Sequence, residues 1–188
     1  MPTLQEVEAK ITFSPKEITG WSDFKQQLDK PPKTHTDPET DAYTSADFNW
    51  SSPSKQGDDG LYRFNGSNLV TIKLDQTKSF VLKTTVSGSQ SSSILNHEKG
   101  HYNIAKLAAR ELCKELMDLS DADPQELTKK ANKIYNDKLA LATKVEDTYD
   151  DDQNGTDHGN DANAQTTWDG KISNGLKDVN FKISSLIP

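Results

Sequence analysis

The segment between residues 94 and 112 combines a helical pattern with ionisable side chains on its apolar face. Apolar residues recur there every three or four positions, which is typical of an amphipathic helix. His97, Glu98 and His101 fall on the same stripe as the apolar side chains, which are Ile94, Ile104, Ala105, Ala108 and Leu112. Burying three ionisable groups beside a core is costly unless they have a purpose. Any fold of this chain must therefore accommodate a polar site next to its core.

The spacing of the two histidines indicates a metal site. In the pattern His97-Glu98-x-x-His101, one helical turn places both imidazoles on one face, where they can bind the same metal ion. Zinc hydrolases use this pattern, with the glutamate as the base that takes a proton from water. We therefore predict one zinc ion per chain, with His97 and His101 as ligands and Glu98 as the base and not a ligand.

A second long helix is predicted over residues 124–148. Asp123 provides an N-terminal cap, and Pro124 fits the first helical position. At about 1.5 Å per residue, the first helix should end about 27 Å beyond His101, and an antiparallel second helix would travel about 36 Å back. The loop that begins near Tyr149 should therefore lie close to the histidines.

A catalytic zinc ion normally has three protein ligands and an open position for water. Glu111 and Glu115 lie on the first helix, but about 15 and 21 Å from the motif, and so cannot share its metal. The loop after the second helix contains a single histidine, His158. We predict His158 as the third ligand, with Asp157 and Asp150 as the alternatives, because carboxylates also bind zinc.

The same loop also resembles a calcium-binding loop. Five of its residues match positions 1, 3, 5, 6 and 12 of an EF-hand, namely Asp150, Asp152, Asn154, Gly155 and Asp161. The match is imperfect, because position 12 is Asp where a bidentate Glu is expected, and position 8, normally apolar, is Asp157. Calcium is therefore the less favoured cofactor.

The first ninety residues are predicted to form mostly sheet. Alternating apolar and polar side chains predict strands at residues 7–13, 42–50, 61–64, 69–74 and 79–83, and in a tail at residues 179–183. Asn65-Gly66 predicts a hairpin between two of these strands, and residues 22–28 a short helix. The predicted fold class is α+β, in a single domain over residues 1–188. A mostly antiparallel N-terminal sheet precedes the active-site helix and a long antiparallel return helix.

Composition excludes some partners. The net charge of −7 argues against binding nucleic acid, which requires clustered Lys and Arg. Cys113 is the only cysteine, so an intrachain disulfide and a zinc-thiolate site are both excluded. No apolar run reaches the roughly 18 residues of a membrane-spanning helix. The sequence does not indicate an oligomeric state.

Several short motifs resemble a known family. They are Trp21-Ser22-Asp23-Phe24, Asp41-Ala42-Tyr43-Thr44, the run from Ile94 to Ala105, Tyr149-Asp150, Thr156-Asp157-His158-Gly159, and Gln165 with Trp168. Between about Ile18 and Leu176 the chain resembles bacterial domains of unknown function described as predicted secreted zinc-dependent proteases, in the zincin-like metallopeptidase superfamily. The resemblance implies a zincin fold, a sheet whose edge strand runs past the metal, and a secreted or periplasmic location.

The predicted function is zinc-dependent hydrolysis of peptide bonds in a peptide or protein substrate. Glu98 would activate the water, and Tyr149 is a candidate donor to the oxyanion that develops. Asp150 could instead steady a ligand histidine. The substrate would bind as an added strand along a sheet edge, for which residues 69–74 are the candidate.

Two alternatives come from a different class of protein. One is a binding module that keeps a metal ion for structure and has no turnover, which a closed four-ligand site would indicate. The other is an extracellular interaction domain stabilised by calcium.

Overall fold

The computed structural model describes residues 2–33, 35 and 40–188, with short strands in the first part and long helices in the second. The strands are β1 (Ile11–Ser14), β2 (Gln26–Leu28), β3 (Ala42–Tyr43), β4 (Ala46–Trp50), β5 (Ser54–Gln56), β6 (Tyr62–Phe64), β7 (Val70–Leu74) and β8 (Phe80–Leu82). The helices are α1 (Leu4–Glu8), α2 (Lys83–Ser87), α3 (Ser91–Asp118), α4 (Pro124–Asp150) and α5 (Ala162–Gly175). Among the residues that the structure describes, no helix is both long enough and apolar enough to cross a membrane.

The strands form small mixed sheets, in the orders β1-β7-β4, β2-β8-β3 and β5-β6. β1 and β2 run parallel to β7 and β8, whereas the other pairings are antiparallel. The α+β class is confirmed, but the sheet is divided and mixed where the sequence predicted a mostly antiparallel one. Parallel strands need a long crossover, as between Ile11 and its partner Val70, so no local pattern reveals the pairing.

The hairpin predicted around Asn65-Gly66 is wrong. β6 pairs with β5, which brings Phe64 opposite Ser54, and β7 lies between β1 and β4. The Gly66 N–H donates to Ser52 Oγ at 2.8 Å, so this segment turns towards β5. Because β7 is the central strand of its sheet, residues 69–74 are not the free edge that an added substrate strand would need.

Three local predictions are also corrected at the ends of the chain and near residue 25. The predicted strand over residues 7–13 begins as α1, which Thr3 and Glu6 cap reciprocally, and continues as β1. The helix predicted over residues 22–28 is a single 3₁₀ turn followed by β2. The tail at residues 179–183 is not a strand and leads into a 3₁₀ helix at Ile183–Leu186.

α3 is the helix around which the core is built, and α4 returns antiparallel to it as predicted. α3 packs against β4 and β7, and also against α4 and α5. Asp123 caps α4 with its side chain. Lys138, in the middle of α4, lies 2.7 Å from Glu111 of α3, while Asp150 at the end of α4 lies beside the histidines near the start of α3. The return helix therefore brings its last turn back to the motif.

Candidate metal centre

Three side chains from the two long helices converge at one point. His97 Nε2 and His101 Nε2 lie 3.2 Å apart, because one helical turn places both rings on the same face of α3. Asp150, the last residue of α4, brings its Oδ1 to 3.1 Å from His97 Nε2 and 3.0 Å from His101 Nε2. The two histidines are buried and the carboxylate is partly exposed. Among the described residues, this is the group of His, Cys, Asp or Glu side chains that could hold a metal ion.

The separations and the chemistry of the three atoms fit a metal ion. In a tetrahedral zinc site with bonds of about 2.0 Å, neighbouring ligand atoms lie about 3.3 Å apart, close to the spacing observed. When neither Nε2 carries a hydrogen, the two imidazole nitrogens and the carboxylate oxygen all present lone pairs, which a metal ion between them would satisfy. The donor set of two His and one Asp is one that zinc accepts, and it leaves a fourth position open.

The pKa values of His101 and Asp150 also indicate that the cluster holds a positive charge. Burial lowers the pKa of His101, but its contact with the Asp150 carboxylate outweighs burial and raises that pKa to about 9. Burial likewise raises the pKa of Asp150, and its contacts with His101 and His97 reverse this effect, so that the pKa lies well below its usual range. The carboxylate therefore stays charged and holds a positive charge, proton or metal, on the histidine side.

Glu98 lies beside the cluster with an unused oxygen. Its side chain is buried, and its Oε2 makes no hydrogen bond. Glu98 lines the same pocket as His97, His101 and Asp150. A buried carboxylate oxygen without a partner is costly, and it is available to accept a proton from a molecule in the pocket.

His158 lies next to the cluster but at its rim. Its Nδ1 is 3.8 Å from Asp150 Oδ1, its ring centroid is 6.4 Å from that of His97, and its side chain is 67% exposed. The loop after α4 thus reaches the motif, as the helix lengths predict, but the atoms within 3.2 Å of each other are those of His97, His101 and Asp150. Asp157, the other alternative, is not part of the group.

Tyr149 lies beneath the cluster instead of facing the pocket. Its ring stacks on that of His97, with centroids 4.7 Å apart and planes within 5°. Its hydroxyl donates to the His97 carbonyl at 3.3 Å and accepts from Gln165 Nε2 at 2.7 Å. Gly100 makes this approach possible, since a Cβ at that position would overlap the Tyr149 hydroxyl. This arrangement gives no support to Tyr149 as an oxyanion donor and places it as a support for His97.

The cluster opens into a pocket of about 450 Å³ that extends to the edge of a sheet. Asp41, Ala42 and Tyr43 line the pocket on one side, and β3 is an edge strand of its sheet. His35 also lines the pocket, and the centroids of its ring and the Tyr43 ring are 4.8 Å apart. Because His35 is far from the motif in the sequence, no local pattern predicted that it would lie beside this pocket.

The calcium loop suggested by the sequence finds no support in the described residues. The Asp150 carboxylate points to the two histidines. Asp161 caps α5, because its Oδ1 accepts from the N–H groups of Asn163 and Ala164 at 2.9 Å. The first and last positions of the suggested loop therefore have other partners.

The fold and the cluster together define an α+β protein with a candidate His-His-Asp metal site. The chain belongs to a bacterial family of unknown function, because the family described as "Bacterial protein of unknown function (DUF922)" matches residues 13–169. His97, Glu98, His101, Asp150 and His158 all lie within the matched range. No curated protein and no solved structure matches the chain.

Proposed function

We propose that this protein is a zinc-dependent metallopeptidase of the zincin-like type. The observation that carries the proposal is the convergence of His97 Nε2, His101 Nε2 and Asp150 Oδ1 to within 3.2 Å of one another, next to the buried and unpartnered Glu98 Oε2. Two ligands and a base from one helical turn, plus a third ligand from a second helix, are what this class of site requires. Export from the cell and a single domain over residues 1–188 belong to the same proposal, export on the strength of the family resemblance.

The catalytic role falls to Glu98. His97, His101 and Asp150 would hold the zinc ion, which would supply Lewis acidity to a water molecule and to the carbonyl of the scissile bond. Glu98 Oε2 accepts the proton of the attacking water and passes it to the leaving amine. Burial keeps this oxygen free of competing donors, and the Glu98 side chain lines the pocket in which the substrate would bind.

The substrate binds as an extended strand beside β3. This edge strand lines the pocket with Ala42 and Tyr43, and Asp41, which precedes it, also lines the pocket. The earlier candidate, residues 69–74, lies in the centre of a sheet. An exposed edge offers backbone N–H and C=O groups to a peptide, which favours an unfolded segment as the substrate. His158 lines the rim of the same pocket, and we expect it to contact that peptide.

The experiment that tests the proposal combines metal content with proteolysis. Purified protein should contain about one zinc ion per chain by elemental analysis and should cleave an unstructured protein such as casein. Glu98→Gln should keep its zinc and lose activity by roughly 100-fold or more, as expected for the loss of a general base. Glu126→Gln, a change of the same chemistry at an exposed site on α4, is the matched control. Equal activity of the wild type and Glu98→Gln would refute the peptidase mechanism.

A second candidate function is a metal-binding module without turnover. One observation favours it: His158 Nδ1 lies 3.8 Å from Asp150 Oδ1, so a small movement of an exposed side chain could close a four-ligand site. A closed site leaves no position for water and is structural. Zinc bound stoichiometrically, with no proteolysis by the wild type or by His158→Ala, is the result expected for this function.

A further inference from the structure

The nitrogen of His97 that faces away from the cluster has two polar neighbours from different segments. Thr156 Oγ1 lies 3.1 Å from His97 Nδ1, and Gln165 Oε1 lies 3.3 Å from it. All three residues are buried, and Thr156 is 0% exposed. A histidine that binds a metal through one nitrogen commonly donates the other N–H to a neighbour, which fixes its tautomer. The direction of these two hydrogen bonds therefore decides which nitrogen of His97 is free for a metal.

Thr156 can only accept from His97. Its hydroxyl donates to the Tyr149 carbonyl at 2.7 Å, and the Gly159 N–H donates to the same hydroxyl oxygen at 3.2 Å. A hydroxyl has a single hydrogen. Because that hydrogen is used on Tyr149, the remaining lone pair of Oγ1 faces Nδ1 as an acceptor.

The side-chain oxygen of Gln165 is also an acceptor for His97, because the Asp169 carboxylate fixes the orientation of the Gln165 amide. Gln165 Nε2 donates to Asp169 Oδ1 at 2.7 Å and to the Tyr149 hydroxyl at 2.7 Å. A carboxylate accepts only, so Asp169 must face the amide nitrogen, and the amide oxygen is turned towards His97. Asn96 Nδ2 donates to the other oxygen of Asp169 at 2.8 Å and fixes the carboxylate from the far side.

We infer that Asp169, acting through Gln165 and together with Thr156, fixes His97 in the tautomer that carries its hydrogen on Nδ1 and directs the Nε2 lone pair at the metal cluster. Asp169 is a positioning residue, since it touches neither His97 nor the pocket. The inference rests on the metal site of the proposed function. In the opposite tautomer a hydrogen on Nε2 would occupy the position that a metal needs.

Asp169→Asn tests the inference with little change of shape. The amide introduced by this substitution can donate to Gln165, so the Gln165 amide can turn its nitrogen to His97 Nδ1 and favour the hydrogen on Nε2. Zinc affinity, measured by competition with a chromophoric chelator, should fall about tenfold or more. Asp137→Asn, an exposed aspartate on α4, is the matched control and should leave the affinity unchanged. Wild-type affinity in Asp169→Asn would overturn the inference.

A double variant separates positioning from a general effect on structure. Gln165→Glu with Asp169→Asn exchanges the carboxylate and the amide, keeps the net charge, and restores an obligatory acceptor beside Nδ1. It should recover most of the zinc affinity lost in Asp169→Asn. Failure to recover, with a normally folded protein, would contradict the proton-directing role.

The tautomer itself can be read in metal-free Asp150→Ala, because in the wild type the Asp150 carboxylate, 3.1 Å from His97 Nε2, would by itself favour a hydrogen there. Nitrogen-15 NMR of histidine-labelled protein at about pH 8, with His97 assigned by comparison with His97→Gln, should show the hydrogen on Nδ1. A hydrogen on Nε2 of His97 in this variant would overturn the inference whether or not the Asp169 variants fold. This readout does not depend on peptide hydrolysis: an inactive protein with Nδ1–H and a weakened Asp169→Asn site would refute the peptidase function and support the inference.

Discussion

The residues just after α4 decide whether Asp150 or His158 lies against His97 and His101. Asp157, His158 and Gly159 have φ values of 49°, 49° and 83°, so three consecutive residues are left-handed. For non-glycine residues this conformation costs about 1 kcal/mol or more and persists where the surroundings impose it. Gly159 packs against His97 so closely that a Cβ there would lie 2.9 Å from His97 Cβ. The reversal keeps the loop backbone against His97 and turns the His158 side chain out to the rim.

Asp150→Asn and His158→Ala should therefore differ in zinc affinity. An amide is a much poorer zinc ligand than a carboxylate, so Asp150→Asn should bind zinc more than about 100-fold more weakly, beyond the loss typical of outer-shell groups. His158→Ala should bind zinc as tightly as the control Asp147→Asn, which changes an exposed residue on α4 about one turn before Asp150. Chelator competition measures all three. The reverse order of effects would make His158 the third ligand and Asp150 its support.

At the scale of secondary-structure elements, an ion cluster sets how α3 and α4 lie against each other. Glu111 Oε1 lies 2.7 Å from Lys138 Nζ and 3.1 Å from Lys182 Nζ, and Glu111 Oε2 accepts from the Ile183 N–H at 3.0 Å. Burial raises the pKa of Glu111, but the hydrogen bonds from Lys138 and Ile183 and the charge of Lys138 outweigh it, so the pKa is lowered from 4.5. The cluster holds α3, α4 and the C-terminal segment together.

Glu111→Gln should destabilise the protein and reduce its sensitivity to acid. Removing one partner of a buried ion cluster costs about 3 kcal/mol of unfolding free energy. Because the pKa of Glu111 is depressed on folding, its contribution is complete above the ordinary value of 4.5. It is lost as the pH falls through the lower folded value. Urea unfolding at about pH 7 and about pH 3 measures the effect, which should be large at the higher pH and smaller at the lower one.

The control for this prediction is Glu126→Gln, which removes an exposed partner of Lys129 on α4. Exposed pairs contribute little to stability, so its unfolding curves should stay close to those of the wild type at both pH values. A Glu111→Gln protein with the same loss under acidic as under neutral conditions would show that the effect is one of packing and not of charge.

At the scale of the whole molecule, α3 connects segments that are far apart in sequence. The Arg110 guanidinium lies 2.9 Å from the Glu8 carboxylate of α1. It also donates to the carbonyls of Gly175, the last residue of α5, and Leu176, at 3.2 and 2.7 Å. The candidate metal site makes a similar link at the other end, between the start of α3 and the end of α4. A metal ion bound there would join elements that separate on unfolding, so binding would stabilise the fold.

Zinc should therefore raise the resistance of the protein to denaturation. At a free zinc concentration about 100 times its dissociation constant, the free energy of unfolding should increase by about 2.7 kcal/mol. His101→Ala should lose this increment, because it removes a ligand, whereas Asp137→Asn should keep it. Chemical denaturation with zinc and with a chelator measures the difference. An unfolding curve of the wild type that zinc does not shift would contradict a metal site in the folded protein.

The sequence by itself determined the elements whose pattern is local. Helical hydrogen bonds join residues four apart, so the periodicity around His97 and His101 was enough to predict α3, and Asp123-Pro124 was enough to start α4. The lengths of these helices also placed the loop after Tyr149 beside the motif. The sequence therefore predicted two members of the candidate metal site, His97 and His101, the position of Glu98 beside them, and the region from which a third side chain joins them.

Only the tertiary structure decided the contacts between distant segments. The parallel partners of β7 and β8, the edge position of β3 beside the pocket, and Asp150 in place of His158 within the cluster all depend on such contacts. The Asp169–Gln165 network behind His97 joins residues of α5 to the start of α3 in the same way. The physical reason is that strand pairing and buried polar contacts form between residues dozens of positions apart, and no local period encodes which residue will be the partner.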